Sequence, residues 1–389
     1  MSMISITNVV NISVLAPATG IANYAINNLV SFTKETPAVS LGTSLYAVYA
    51  TAYEVGVQWG TGSKVYEASL SVFAQSPNII SGGGLFIVVP MLTNEVLEQA
   101  ISRAEGMFYF GGCASVFSLG VSGPTGYTGG TGINQEALRA AAVAQADRKL
   151  LFLPDIQAPS GATGLGNSVK SASLSYTRVM YHTDASLTGN LGKMVWSYAS
   201  RGMSTNFSGS NTTSSMHLKA LSGVTVDNDL TQTNLTNAAT TGAITYPNIA
   251  GQPCTFDQGA NEFFDDVYNL AWIIGALEVA GFNYLRQTAT KIPQTEAGMG
   301  GLKSAYQKIC AQAVNNGFIA PGEWTGNDTF GDPLDFRRNI SQHGYYIYSA
   351  PISSQSTADR AQRKAPLVQI GIKYAGAINS TSVIINVNK

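Results

Sequence analysis

The stretch SQSTADRAQRKAPLVQIGIKYAGAINSTSVIINVNK, residues 354–389, decides how the chain is read. Ser356 is a good helix N-cap, Asp359 sits in the first turn, and Pro366 ends the segment, so a helix is expected over 357–365. Arg360, Arg363 and Lys364 then fall at i, i+3 and i+4 and share one face, with Ala358, Ala361 and Ala365 as a small apolar side. Beyond it, Val368, Ile370, Ile372 and Tyr374 alternate with Gln369, Gly371 and Lys373, the period of a half-buried strand. Val383, Ile385 and Val387 repeat the alternation up to Asn388. An exposed apolar strand is an aggregation hazard unless it is paired. Its partner belongs either to the same chain or, by strand addition, to a neighbour.

The first residues pose the same problem. Ile4, Ile6, Val10, Ile12 and Val14 lie on one face, interrupted by Asn8, with Ser5, Thr7, Asn11 and Ser13 on the other. Alternation at both ends makes pairing between chains attractive.

Composition agrees with life in an assembly. Of 389 residues, 45% are apolar and only 12% charged, against about 25% charged in an ordinary soluble domain. With 40 glycines and many Ser, Thr and Asn, the surface consists of small neutral polar groups. Such a surface packs against protein with little charge desolvation. A net charge of -1 gives no field that would draw the chain to nucleic acid or an anionic membrane. Cys113, Cys254 and Cys310 lack metal or CxxC spacing and are expected to be reduced thiols. The N-terminus lacks the pattern of a signal peptide. The longest apolar run, YNLAWIIGALEVAGF, contains Glu278, so no membrane insertion is expected.

From about 40 to 150 helices and strands alternate, and a further strand and helix follow. Helices are expected at 41–60, 62–77, 93–105 (capped by Thr93 or Asn94), 132–149 and 189–203, and strands at 84–90, 106–113, 150–155 and 177–184. That is the pattern of a layered α/β domain. Two polar loops, 121–132 and 204–215, interrupt it. Later come a long helix over 259–288, with Phe263, Val267, Leu270, Ile274 and Leu277 at helical spacing, and a second over 295–317. Strands at 344–352, 366–376 and 381–388 complete a separate α+β unit.

Chemical motifs are weak. GATGLGNS at 161–168 follows a strand, but Asn167 stands where a phosphate-binding loop needs lysine. His182, His217 and His343 are read as packing or surface residues. Glu262, Asp265 and Asp266 suit a helix N-terminus better than acid–base work, and Trp272 suits core packing. No catalytic, metal or cofactor site is expected.

Taken together, GYYIYSAPI (344–352), STADRAQRKAPLVQIGIKYAGAI (356–378) and VIINVN (383–388) resemble the contractile tail sheath proteins of bacteriophages. Supporting matches lie at 53–77, 217–231 and 291–324, the last being KIPQTEAGMGGLKSAYQKICAQAVNNGFIAPGEW. The resemblance implies a subunit that stacks in six-fold rings or a helix around a tail tube, in a virion tail assembled in the host cytoplasm. It implies an N-terminal arm (1–20), an outer α/β domain (21–240), an inner α+β domain (241–379) and a C-terminal arm (380–389). The arms, carrying Ile4, Ile6, Val10, Ile12, Val14, Val383, Ile385 and Val387, would donate strands to neighbouring copies. Helix 357–365 would face the tube through Arg360, Arg363 and Lys364. Partners would be further copies, the tube protein, and the baseplate and tail terminator proteins. The chain is short for such a protein, so few outer decorating domains are expected. The alternatives are another virion structural protein (tube, capsid-surface or adhesive) and a nucleotide-using α/β enzyme.

Overall fold

A computed structural model describes residues 25–116, 135–159, 164–259 and 262–381, and within it the short apolar runs come together as one sheet. In chain order the elements are β1 (Leu29–Thr33), β2 (Ala47–Tyr49), α1 (Ala52–Trp59), α2 (Lys64–Phe73), β3 (Phe86–Pro90), α3 (Leu97–Glu105) and β4 (Gly112–Ser115). Then follow α4 (Gln135–Ala146), β5 (Leu150–Asp155), α5 (Leu165–Ser171), β6 (Thr177–Tyr181), α6 (Asn190–Gly202), α7 (Gln232–Thr241) and β7 (Ala243–Ile244). A small ladder of β8 (Asn248–Ile249) and β9 (Gln252–Pro253) leads on to α8 (Phe264–Gln287) and α9 (Glu296–Asn315). The chain closes with α10 (Pro333–His343), β10 (Tyr345–Ser349), α11 (Thr357–Ala361) and β11 (Val368–Ile372).

The main sheet has seven strands in the order β2-β3-β1-β4-β5-β6-β7, and every pairing is parallel except β2 with β3. Parallel strands need helical crossovers, which cover both faces and bury both sets of side chains. Leu29, Phe86, Val88, Leu150, Phe152 and Met180 point to one face, under α1, α2, α6 and α8. Val30, Phe32, Ile87, Val89, Leu151, Leu153 and Val179 point to the other, under α3, α4 and α5. The mixed α/β character read from the alternation is borne out. The sheet continues past residue 240 to β7.

Three local expectations are corrected. The run 41–60 is not one helix: Ala47–Tyr49 pair with β3, and α1 begins only after Thr51. Thr51 and Glu54 form a reciprocal capping box there, and the box sets the helix start. α3 starts at Leu97 and not after Thr93 or Asn94, because Glu95 turns back to accept from Leu92 N–H (2.8 Å) and pairs with Arg103 (2.7 Å). The strand expected over 106–113 begins at Gly112, and the aromatic residues before it pack as rings, Phe108 lying 4.5 Å from Tyr46.

One polar side chain ties the sheet to its helical layer. Asn27, just before β1, is 6% exposed, and its Nδ2 donates to the carbonyls of Met203 (2.7 Å) and Thr205 (2.8 Å) beyond α6. Removing the amide takes the donor from the buried Thr205 carbonyl and leaves the Met203 carbonyl with only the Tyr268 hydroxyl, at 3.3 Å. Asn27→Ala is expected to lower stability by about 2–4 kcal/mol, measured by urea unfolding. A change under about 0.5 kcal/mol would show that water replaces the amide.

Candidate functional site

The sheet's carboxyl edge, where α/β proteins place ligands, is filled by its own side chains. Asp155 ends β5, and its carboxylate accepts from the N–H groups of Leu165 (2.9 Å) and Gln157 (3.0 Å). The first turn of α5, which a phosphate would need, is therefore occupied by a carboxylate of the chain itself. Burial raises the Asp155 pKa despite those bonds. Asn167 lies inside α5, and residues 160–163 are outside the described residues.

The histidines are also tied to backbone. His182 accepts at Nδ1 from Asp184 N–H (2.9 Å) and meets the Thr225 carbonyl through Nε2 (3.1 Å). His217 accepts from Asp257 N–H (3.2 Å), while His343 sits exposed in the last turn of α10. No group of three His, Cys, Asp or Glu residues suits a metal ion among the described residues. The three cysteines are buried free thiols, and burial pushes the Cys310 pKa up to about 12.

At the start of α8, burial raises the pKa values of Asp265 and Asp266, and Arg178 donates to the carbonyl of the preceding Glu262 (2.8 Å). Trp272 stacks on Phe207 with ring centroids 4.5 Å apart. The stripe expected along this helix divides. Val267 joins the main core, Phe263 is the N-cap, and Leu270, Ile274 and Leu277 stay half-exposed.

Those three residues belong to the arrangement that stands out. α8 and α9 pack together, separated by the Pro293 break and the Thr295 cap. On them lies a second sheet of only two strands, β10 and β11, antiparallel, with Tyr345 opposite Ile372 and Ser349 opposite Val368. Its outer face carries Tyr346 and Tyr348, packed with Phe330 and Phe336 at centroid distances of 5.5–6.3 Å. Gly371 faces the same rings, and a Cβ there would stand 2.9 Å from Phe336. Among the described residues no further strand joins this sheet, although an antiparallel bridge of Ile319 with Tyr374 continues the pairing just beyond β11. Each side is bordered by a groove. Between β11 and α8 the groove is apolar, about 480 Å³, lined by Leu270, Ile274, Leu277, Trp324, Ile370 and Ile372. Between β10 and the helices α9 and α10 it is polar, about 390 Å³, lined by Lys303, Ser304, Gln307, Asn339 and His343. The sequence reading missed both grooves. The half-exposed stripe on α8 was visible in the spacing, but not what it borders.

The basic segment lies between these strands and also needs correction. The helix spans Thr357–Ala361, not 357–365, and buries no residue. Gln362 is its C-cap, and Arg363 adopts a left-handed conformation with φ 57°. Lys364 N–H then reaches the Asp359 carbonyl and Arg363 N–H the Arg360 carbonyl, both at 3.0 Å, which closes the helix as a Schellman motif. Arg360, Arg363 and Lys364 therefore do not share a helical face, although all three are exposed. Lys364 lies 3.8 Å from Asp359, while the guanidinium groups of Arg360 and Arg363 have no partner among the described residues. The arm residues Ile4, Ile6, Val10, Ile12, Val14, Val383, Ile385 and Val387, and the loop 121–132, lie outside the described residues.

Gly371→Ala would push Phe336 out of a fully buried position and is expected to cost about 1–3 kcal/mol. Thermal unfolding monitored by near-ultraviolet circular dichroism of the ring cluster checks this, and an unshifted transition would refute the close approach.

Comparison with known proteins places the two-stranded unit. Residues 264–387 match the family model of the E217 tail sheath protein gp31-like C-terminal domain, a match that opens on the first residue of α8. No curated protein matches the chain. A chain in the six-fold symmetrised baseplate of the anti-feeding prophage is 10% identical, aligns over 97% of both chains and has a TM-score of 0.59. A chain in the contracted state of that baseplate is also 10% identical, aligns over 99% of both chains and has a TM-score of 0.56. At such identity the likeness is one of fold, and it spans the sheet and the C-terminal unit together. Residues 264–387 are thus similar to a tail-sheath C-terminal domain.

Proposed function

We propose that this chain is the structural subunit of a contractile phage tail sheath, polymerising around a tail tube and contracting to drive the tube through the host envelope. The observation that carries this is the two-stranded sheet with an open side and a groove on each flank, inside the segment that matches the tail-sheath domain. In this reading the inner domain is 241–379 and the outer domain 21–240. Strands from neighbouring copies complete the small sheet. The C-terminal segment with Val383, Ile385 and Val387 adds beside β11, where three alternating apolar side chains meet the apolar floor of Leu270, Ile274 and Leu277. At about 3.3 Å per residue, 383–387 has the span of the five residues of β11. The N-terminal segment with Ile4, Ile6, Val10, Ile12 and Val14 adds beside β10.

The energies divide the labour. Burying one Val or Ile side chain contributes about 1.5–3 kcal/mol. An exposed ion pair contributes about 0.2–1 kcal/mol. Strand exchange therefore keeps copies connected, whereas contacts of Arg360, Arg363 and Lys364 with the tube are weak enough to release in a wave. The sparse charge of the chain supports extensive packing between copies after release. Partners in this reading are further copies in six-fold rings or a helical stack, the tube protein, and the baseplate and tail terminator proteins. The place of action is the virion tail, assembled in the host cytoplasm, with ejection of the phage genome into the host as the outcome. A second reading, a subunit confined to the baseplate, is favoured by the fact that the two similar structures named above are of a baseplate.

Negative-stain electron microscopy of the purified protein, alone and with tail tubes, tests the proposal. Stacks of six-fold rings of indefinite length are expected, and single rings would favour the baseplate reading. Only monomers, with and without tubes, would count against both. Deleting 1–15 or 380–389 should leave a folded subunit that forms no ordered polymer. Ile274→Asp should do the same by placing a charge in the apolar groove. Normal polymers from any of these variants would refute strand exchange at this site.

A further inference from the structure

The cavity between α8 and the amino edge of the main sheet holds charges that strand exchange does not use. It has a volume of about 280 Å³ and opens between the end of α3, the turn from α4 into β5, and α8. Three carboxylates line it, Glu105, Asp147 and Glu278, with two cations, Arg148 and Lys149. One carboxylate is in excess, and which one goes uncompensated depends on where the cations sit.

Lys149 is fixed. It is 3% exposed, its Nζ lies 4.0 Å from the centre of the Tyr109 ring and 5.1 Å from that of Phe110, and its carboxylate is Glu105 at 3.8 Å. Arg148 is not fixed. Its guanidinium reaches Glu278 on α8 at 2.9 Å, with the two side chains 45% and 61% exposed. A pair so open to solvent is weak and gives way to small changes in nearby charge.

Glu105 and Asp147 supply such a change. Their carboxyl groups hydrogen-bond to each other, which requires a proton between them. Burial first, and then this bond, raises the Glu105 pKa, so the folded chain keeps the proton to a higher pH than the unfolded chain does. The stability this adds is complete below the ordinary carboxylate range and is lost as pH rises through the raised value. While the proton is held, the pair carries one charge and Lys149 balances it. Once the proton leaves, the pair carries two charges, and the cation free to answer is Arg148, which already acts on Glu105 electrostatically. Cys113 and Tyr176 also face these cations, but burial raises the pKa of each, so neither gains charge in this range.

α8 is built to respond. Val267, Tyr268 and Trp272 anchor its first half in the main core, while Ala271 and Gly275 leave the cavity unfilled. Gly275, a poor helix former, separates that anchored half from the turn that carries Glu278.

We propose that Arg148 is the moving jaw of a clasp between the α/β domain and the outer half of α8, holding Glu278 while Glu105 and Asp147 share a proton and passing to that carboxylate pair when the proton leaves. Release of Glu278 lets α8 bend at Gly275 and swing the α8–α9 connection away from the sheet. The clasp does not depend on the tail-sheath reading, because all its parts lie within one chain.

Spin labels on Ser102→Cys in α3 and Gln287→Cys at the end of α8, both exposed positions, report the distance by pulsed electron paramagnetic resonance on the full chain. The native cysteines are buried. From about pH 4.5 to about pH 8, a longer distance should grow roughly two- to fivefold in population as pH rises. Glu278→Gln should show the longer distance at every pH. Asp147→Asn, whose amide cannot complete a doubly charged pair, should keep the shorter one. Neither residue is buried, so neither change disturbs the core. Burial also raises the pKa values of Asp265 and Asp266 at the start of α8, and Asp147→Asn separates their titration from that of Glu105. One unchanged distance in both the parent and Glu278→Gln overturns the clasp. A longer distance that grows as pH falls overturns it, and so does an equal pH response in the parent and Asp147→Asn.

Discussion

Two antiparallel strands expose a row of backbone donors and acceptors on each side, and a lone pair of strands is marginal in water. The rest of the C-terminal unit is arranged around that constraint. β10 and β11 do not stand free: α8 and α9 support one face, and Phe330 and Phe336 cover part of the other. The helices stabilise the pair without closing its sides. Among the described residues the outcome is a supported pair of strands bordered by an apolar groove on one side and a polar groove on the other. A surface built this way is completed by a strand more readily than by a small molecule, because most of the unmet demand is backbone hydrogen bonding.

The larger α/β domain meets the opposite condition. Its parallel sheet is covered on both faces, and the carboxyl edge that could hold a ligand is spent on internal bonds by Asp155, His182 and Asp227. Charge is used the same way. Glu95 pairs with Arg103, Glu98 with Arg139, and Arg148 with Glu278. Among the described residues, the guanidinium groups of Arg286, Arg337, Arg360 and Arg363 are without an ion-pair partner.

What could be read from sequence follows from how local each signal is. LLFLPD at 150–155 is flanked by a strong helix and a turn, and it is a strand at those residues. The long helices at 264–287 and 296–315 announce themselves by length, period and caps. β1 carries no such punctuation; its five residues are a strand because β3 and β4 flank it, which is a tertiary fact. α7, built of Thr, Asn and Gln, has low intrinsic helix propensity and is held by its Thr231–Asn234 box and its Gly242 cap. The cluster of Arg360, Arg363 and Lys364 stands out by composition, but its geometry does not follow from the spacing. Spacing of i, i+3 and i+4 describes a shared face only while the helix continues, and this helix stops at Ala361. The grooves were beyond reach, since each is formed by residues far apart in the sequence.

The two kinds of surface on this unit differ in how they respond to motion. A backbone ladder is directional and repeats along the strand, so it tolerates rotation of rigid bodies about its linkers while its bonds persist. A guanidinium at an exposed cap acts over a short, salt-screened range and is lost once its partner moves by about a Debye length. Under the proposed function, β11 and the basic segment five residues before it would join a contact that persists to one that breaks. Pinning the cap through Gln294, from the α8–α9 connection, adds mechanical consequence. Displacement of the helix pair then moves the cation directly, without a flexible arm to absorb it.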